Sequence, residues 1–222
     1  MWLLYGSQNK TTRGSMSNRE MVEMIKEEIA PGIMVYSDVI PNSETLYTDI
    51  EEGMLAANIQ WQGAAVKEAD DVKVNTLTRS TQTIGIPYRG QVQDPNSASM
   101  NEVFDLSLNN IFFEPFDLVE RDYMNHYGIP CDWHDTYGIL KYGAGQFFSN
   151  HIDDHKDYHR RVSTVYYLND NYTGGEINFP RFGVTFKPKA NQMIVFPSNF
   201  MYNHSVSPVI EGNRYAVVSW MR

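Results

Sequence analysis

The chain has 222 residues, 42% of them hydrophobic and 20% charged, which suffices for one sizeable domain and excludes wholesale disorder. Eighteen basic residues against 27 acidic ones leave a formal net charge of -9, so a broad nucleic-acid footprint is not expected, because phosphate binding needs clustered positive charge. A single cysteine, Cys131, excludes an intramolecular disulfide framework and a cysteine-based zinc knuckle, and it fits a reducing cytoplasm.

Met1-Trp2-Leu3-Leu4-Tyr5 is too short for a signal-peptide core, and no apolar run reaches the roughly 20 residues needed to span a bilayer. The expectation is a cytoplasmic protein with no membrane partner. Gly14-Ser15-Met16 marks residues 1–15 as an appended leader or flexible extension. From Asn18 to Ile29, helical spacing of Met21, Met24, Ile25 and Glu28 predicts a helix ended by Pro31-Gly32. Ile33-Met34-Val35-Tyr36 predicts a strand. Pro41-Asn42-Ser43-Glu44 starts a helix whose stripe is Leu46, Ile50 and Met54.

Residues 72–95 are rich in Gly and Pro and predict a long loop of the kind that forms lids. Asn96-Ser97 opens a second helix carrying Met100, Val103, Phe104, Leu108, Ile111 and Phe112, which Pro115 should break or kink before Leu118, Val119, Asp122 and Tyr123 resume the pattern. Helices are thus expected to dominate residues 16–130, as a support region of the same domain. From 131 to 222 the texture changes to short β-rich runs: 137–142, 147–153, 162–168, 176–179, 184–186, 193–196, 204–206 and 214–220. Eight such runs predict an α+β chain with a C-terminal two-sheet β-barrel core and N-terminal helices packed on its outside.

Within that core, a strand would put His151 and Asp153 on one face, with His204 heading another strand. Two imidazoles and one carboxylate form the facial triad of non-haem Fe(II) oxygenases, which leaves three coordination sites open. The spacing of His151, His155 and His159 also suits a zinc site on one helix face, but that reading lacks a glutamate base and follows a stretch better suited to a strand. His155 and His159 are then surface residues of a charged loop. His126 and His134 read as ordinary polar or capping residues, and Cys131 has no evident role.

From Tyr142 onward the chain closely resembles the prolyl 4-hydroxylase group of Fe(II)/2-oxoglutarate dioxygenases. The matching segments are Tyr142-Gly143-Ala144-Gly145-Gln146, Phe148, His151-Ile152-Asp153, Tyr166-Tyr167-Leu168-Asn169, Gly174-Gly175-Glu176, Phe179-Pro180, and His204 followed ten residues later by Arg214. They keep their order across about eighty residues, to Trp220. The resemblance implies a double-stranded β-helix (jelly-roll, cupin-like) core, with His151, Asp153 and His204 as catalytic iron ligands. It implies Arg214 and Tyr167 at the distal carboxylate of 2-oxoglutarate, with Tyr142 near the iron and the co-substrate's inner end. A guanidinium fork suits that carboxylate bidentately, although many collagen-type members have Lys there. Gly174-Gly175 reads as a hairpin turn, with Glu176 structural.

The implied reaction hydroxylates an unactivated C–H bond, above all in prolyl residues of a peptide or protein. It consumes 2-oxoglutarate and O2, releases succinate and CO2, and uses ascorbate as reductant. Family members contact substrate through a loop carrying Arg-x-Ser; here Arg79 and Ser80 are adjacent, so the match is approximate, and residues 79–95 become a candidate lid with Arg79 on the peptide. Trp220 is a candidate substrate-pocket wall. A free amino acid, another side chain or a small metabolite would use the same active-site residues, and a non-catalytic β-barrel binding module is the reading from another class. The compact form without a targeting signal is similar to microbial and viral members.

Overall fold

The structure is a computed structural model that describes residues 25–68, 71–73, 75–86, 100–130, 135–157 and 159–222. Expectations on residues 1–24 and 87–99, and on Cys131 and His134, lie outside the described residues. In chain order the elements are β1 (Ile25–Ala30), β2 (Ile33–Ser37), α1 (Leu46–Ala56), β3 (Gln62–Gly63), β4 (Val66–Glu68), β5 (Asp71–Lys73), β6 (Gln82–Ile86) and α2 (Met100–Tyr127). There follow β7 (Tyr137–Tyr142), β8 (Phe148–His151), β9 (Val162–Tyr167), β10 (Thr173–Gly174), β11 (Ile177–Phe179), β12 (Val184–Phe186), β13 (Gln192–Pro197), β14 (His204–Val206), β15 (Val209–Glu211) and β16 (Arg214–Met221).

An eight-stranded sheet, in the order β1-β2-β13-β9-β16-β7-β6-β3, faces a four-stranded one, β12-β11-β14-β8. Side-chain alternation explains the layering, since successive residues of a strand point to opposite faces. Tyr167, Ile194, Phe196, Ala216 and Val218 of the large sheet join Ile177, Phe179 and Val206 of the small one in an inner core. Their neighbours Tyr166, Met193, Val195, Tyr215 and Val217 point outward and share a second core with Leu46, Ile50 and Met54 of α1 and the apolar stripe of α2. Strand β9 is buried along its whole length because both of its faces are covered.

Three expectations are corrected. Residues 25–29 form a strand because Pro31-Gly32 makes a hairpin turn, with Gly32 at φ +75°, and β1 pairs with β2. Of the expected break or kink at Pro115, the break does not occur: α2 continues from Met100 to Tyr127 with the proline inside it. An interior proline costs roughly 3 kcal/mol, and the stripe of Phe112, Phe116, Val119 and Tyr123, each fully buried, offsets it. Finally, β1, β2, β3 and β6 supply half of the large sheet, so strands that complete the core share the region before residue 130 with α1 and α2. Part of the expected loop is β6, whose Ile84 and Ile86 are buried and which pairs residue for residue with β7. No described helix is long and apolar enough to cross a membrane.

Candidate active site

Strand β8 ends at His151 and β14 begins at His204, and the two are direct partners across the antiparallel pair. Their imidazoles therefore emerge on one face, with ring centroids 4.2 Å apart. The chain leaves regular strand after His151, short of the expected Asp153, yet Asp153 still turns to the same point. Its Oδ1 lies 3.4 Å from His151 Nε2 and its Oδ2 3.8 Å from His204 Nε2. One donor atom from each of the three residues lies within 4.8 Å of the others, so together they could hold a metal ion.

Surrounding groups prepare the donors. His151 Nδ1 lies 2.8 Å from the Ser149 carbonyl, and His204 Nδ1 3.1 Å from that of Tyr202. An Nδ1–H donates in each bond, which leaves the Nε2 lone pairs facing Asp153. Ser163 Oγ donates to Asp153 Oδ2 at 2.7 Å and is itself tied to Ser198 Oγ at 2.8 Å. Burial alone would raise the Asp153 carboxyl, but His204, His151 and the Ser163 hydroxyl outweigh it and hold the group well below the usual carboxylate range. Burial, reinforced by His151, pushes His204 down, so it is neutral at pH 7 as a ligand imidazole must be.

These three residues line a cavity of about 550 Å³ whose wall also includes Tyr142, Arg214 and Trp220. Arg214 opens β16 and faces inward with Ala216 and Val218, directly opposite Tyr142 of β7. Its guanidinium carbon sits 4.8 Å from the Tyr142 ring centre and 5.0 Å from that of Tyr167. The Tyr142 ring is thus placed against the guanidinium, and Tyr167 stands behind Arg214 rather than in the cavity wall. Burial works against the cation, but the phenols of Tyr167, Tyr172 and Tyr142 outweigh it. Arg214 Nε and Nη1 are buried without a hydrogen-bond partner, as are the hydroxyls of Tyr167 and Tyr172. An unmet buried donor costs roughly 1–3 kcal/mol, so the unpartnered guanidinium of Arg214, on the cavity wall, suits an anionic acceptor. A carboxylate of a 2-oxo acid whose other end chelates a metal at His151, Asp153 and His204 fits this donor set.

Arg79 reaches the same cavity, though not as a free arm. It bridges to Phe148 in the sheet, its guanidinium carbon lies 4.6 Å from the Phe148 ring centre, and that ring stacks 3.5 Å from His151. Trp220 is covered by Arg160, with the guanidinium carbon 3.5 Å from the ring centre. His155 corrects an expectation: it is partly buried and lines the cavity, whereas His159 is exposed. His126 packs edge-on against Tyr127, away from this cluster.

Sequence reasoning missed Ser163, Arg160, Tyr172 and Gly175. Ser163 was within reach, since it shares a strand face with Tyr167. Gly174-Gly175 is not the expected hairpin turn, since Gly174 ends β10, which pairs with the distant β15; at Gly175, φ +67° and a Cβ contact of 3.0 Å with Arg214 Cδ favour glycine beside the arginine stem. Arg160 and Tyr172 carried no signal in spacing.

The family model for the 2OG-Fe(II) oxygenase superfamily matches residues 137–222. No curated protein matches the chain. Among solved structures, the chain is similar to a prolyl-4-hydroxylase from Pseudomonas putida, at 21% identity over 86% of this chain and 92% of that one, with a TM-score of 0.62. It is similar to a prolyl hydroxylase from Trichoplax adhaerens in complex with a hypoxia inducible factor oxygen degradation domain peptide fragment, at 20% identity, coverage of 86% and 83%, and a TM-score of 0.61. A third is the viral collagen prolyl hydroxylase of Paramecium bursaria Chlorella virus-1 in its 2OG complex, at 16% identity, coverage of 86% and 96%, and a TM-score of 0.56. At these identities the likeness establishes a common fold. Residues 137–222 thus match the 2OG-Fe(II) oxygenase superfamily, and the chain shares the double-stranded β-helix fold of bacterial and viral prolyl hydroxylases.

Proposed function

We propose that this protein is an Fe(II)- and 2-oxoglutarate-dependent dioxygenase that hydroxylates prolyl residues in a peptide or protein. The observation that carries the reading is that one cavity contains both a His-Asp-His cluster and a buried arginine with unmet donors. His151, Asp153 and His204 would hold the iron, and Arg214 the far carboxylate of 2-oxoglutarate. Bound together, iron and 2-oxoglutarate supply the oxidising chemistry, in which O2 is split between succinate, formed with CO2, and the hydroxylated carbon.

The chain's own residues do the rest. His151 and His204 are kept in the metal-binding tautomer by the carbonyls of Ser149 and Tyr202. Ser163 orients Asp153, and the inner-core residues around Arg214 exclude water, which strengthens its hold on an anion. Trp220 and Arg79, on the cavity wall, would contact the substrate and orient the target carbon. The peptide reading is supported by a structural neighbour that is in complex with a peptide fragment. Ascorbate belongs to the proposal as the reductant that restores Fe(II).

The test is succinate release with Fe(II), 2-oxoglutarate and a library of proline-containing peptides, read by mass spectrometry for the gain of one oxygen atom. Oxygen gain at proline that disappears in His151→Ala and Asp153→Ala is the expected result. Oxygen gain on a free amino acid or small metabolite alone would overturn the peptide assignment. No 2-oxoglutarate turnover with any substrate would overturn the enzyme reading in favour of a binding module.

A further inference from the structure

Arg214 has more donors than a carboxylate can use. A guanidinium carries five N–H groups, and a carboxylate docked bidentately takes two. In a site this dry the remaining three need acceptors from the protein, and among the described residues no carboxylate forms a salt bridge with Arg214. The rings of Tyr142 and Tyr167 lie within cation–π distance of the guanidinium, and such contacts satisfy no N–H donor. Two phenol oxygens next to Arg214 are themselves buried and unpartnered, those of Tyr167 and Tyr172.

Tyr172 is built into this position. It follows β9 by five residues, is 5% exposed, and its ring is fixed from outside by Lys187, whose Nζ lies 3.7 Å from the ring centre. The same Nζ donates to the carbonyls of Tyr172, at 3.2 Å, and Gly174, at 2.5 Å, so the lysine secures the backbone as well. On the inner side, a Cβ on Gly175 would meet both Tyr172 Cε2, at 3.1 Å, and Arg214 Cδ, at 3.0 Å. The missing side chain is what lets ring and arginine approach. Tyr172 does not line the cavity, so any influence on a ligand passes through Arg214.

We propose that Tyr172 is a positioning residue for the dicarboxylate co-substrate: its hydroxyl accepts from the Arg214 edge that the carboxylate leaves unused, aligning the guanidinium and favouring 2-oxo diacids over 2-oxo monoacids. The proposal rests on the 2-oxoglutarate reading above. Arg214 also pulls the Tyr172 phenol down against the rise caused by burial, which agrees with the two groups being in electrostatic contact.

The experiment is calorimetric titration of the full chain loaded with Ni(II), a redox-inert stand-in for Fe(II), with 2-oxoglutarate and separately with pyruvate, which chelates through the same 2-oxo acid group but lacks the second carboxylate. Tyr172→Phe, which removes only the hydroxyl, should weaken 2-oxoglutarate about 10-fold or more and leave pyruvate unchanged. Tyr172→Leu, which also removes the ring, should show the same selective loss. An equal loss for both acids would identify a packing role, and no loss for either would show that the hydroxyl does nothing; both outcomes overturn the proposal. The wild-type arm separates the two readings: if wild type binds 2-oxoglutarate no better than pyruvate, the assignment of Arg214 fails, and the role of Tyr172 fails with it.

Discussion

Glu120 offers a sharp test of how α2 packs on the large sheet. It is 1% exposed, and Thr164 Oγ1 donates to its Oε1 at 3.1 Å. Burial, with a smaller push from Asp117 and against the Thr164 bond, raises its carboxyl to about 8, from an ordinary value of 4.5. The folded protein therefore keeps Glu120 protonated at neutral pH, whereas the unfolded chain ionises above 4.5. Because the folded value is the raised one, the stabilising contribution is complete below pH 4.5 and is lost as pH rises to about 8. Each unit in that window is worth about 1.4 kcal/mol, so about 3 kcal/mol is lost between pH 4.5 and pH 7. Glu120→Gln keeps the shape and the acceptor for Thr164 but does not titrate. Urea denaturation at intervals from pH 4.5 to 8 should show the two proteins equally stable at the acid end and the variant ahead by about 3 kcal/mol at pH 7. Parallel stability curves would refute the argument, since all other titrating groups cancel in the difference.

Ser163→Ala removes the hydroxyl that orients Asp153 while leaving all three metal-binding side chains. Its affinity for Ni(II), measured by calorimetry, should fall roughly 10- to 100-fold. Asp153→Asn, by contrast, should eliminate detectable Ni(II) binding, because a charged donor is lost from a three-residue set. Gly175→Ala imposes a positive φ on a residue with a Cβ, at about 1–2 kcal/mol, and crowds Arg214, at about 1–3 kcal/mol. Chemical denaturation should show the sum, and 2-oxoglutarate binding to the folded fraction should weaken as well. Pro115→Ala restores the missing hydrogen bond to the carbonyl of Ile111 and should stabilise the protein by at most about 3 kcal/mol, read in the same denaturation assay.

The catalytic half of the chain was legible because its signals are local. A strand of alternating residues declares itself within a few positions, and the runs at 137–142, 184–186 and 204–206 match β7, β12 and β14 to the residue. His151, Asp153, His204 and Arg214 stood out through ordered motifs that a single sequence carries intact. The N-terminal half was misread for an equally physical reason. Residues 25–29 have helical spacing, but a two-residue turn at Pro31-Gly32 and an open sheet edge beside β13 make the strand pairing win. Pro115 is a helix breaker in isolation and is tolerated only because Phe112 and Phe116 bury against Tyr137 and Tyr166 from distant strands.

What the order of residues determined by itself is the inventory: which side chains can bind a metal and which can hold a carboxylate. Convergence needed the folded chain. His151 and His204 become neighbours only through the register of β8 with β14, Ser163 acquires its role because β9 brings it to Asp153, and Tyr172 and Gly175 acquire theirs because the chain around β10 packs against Arg214. Pairing register and the close approach of backbones are long-range properties, set by cores that bury residues far apart in the sequence, and no local spacing encodes them.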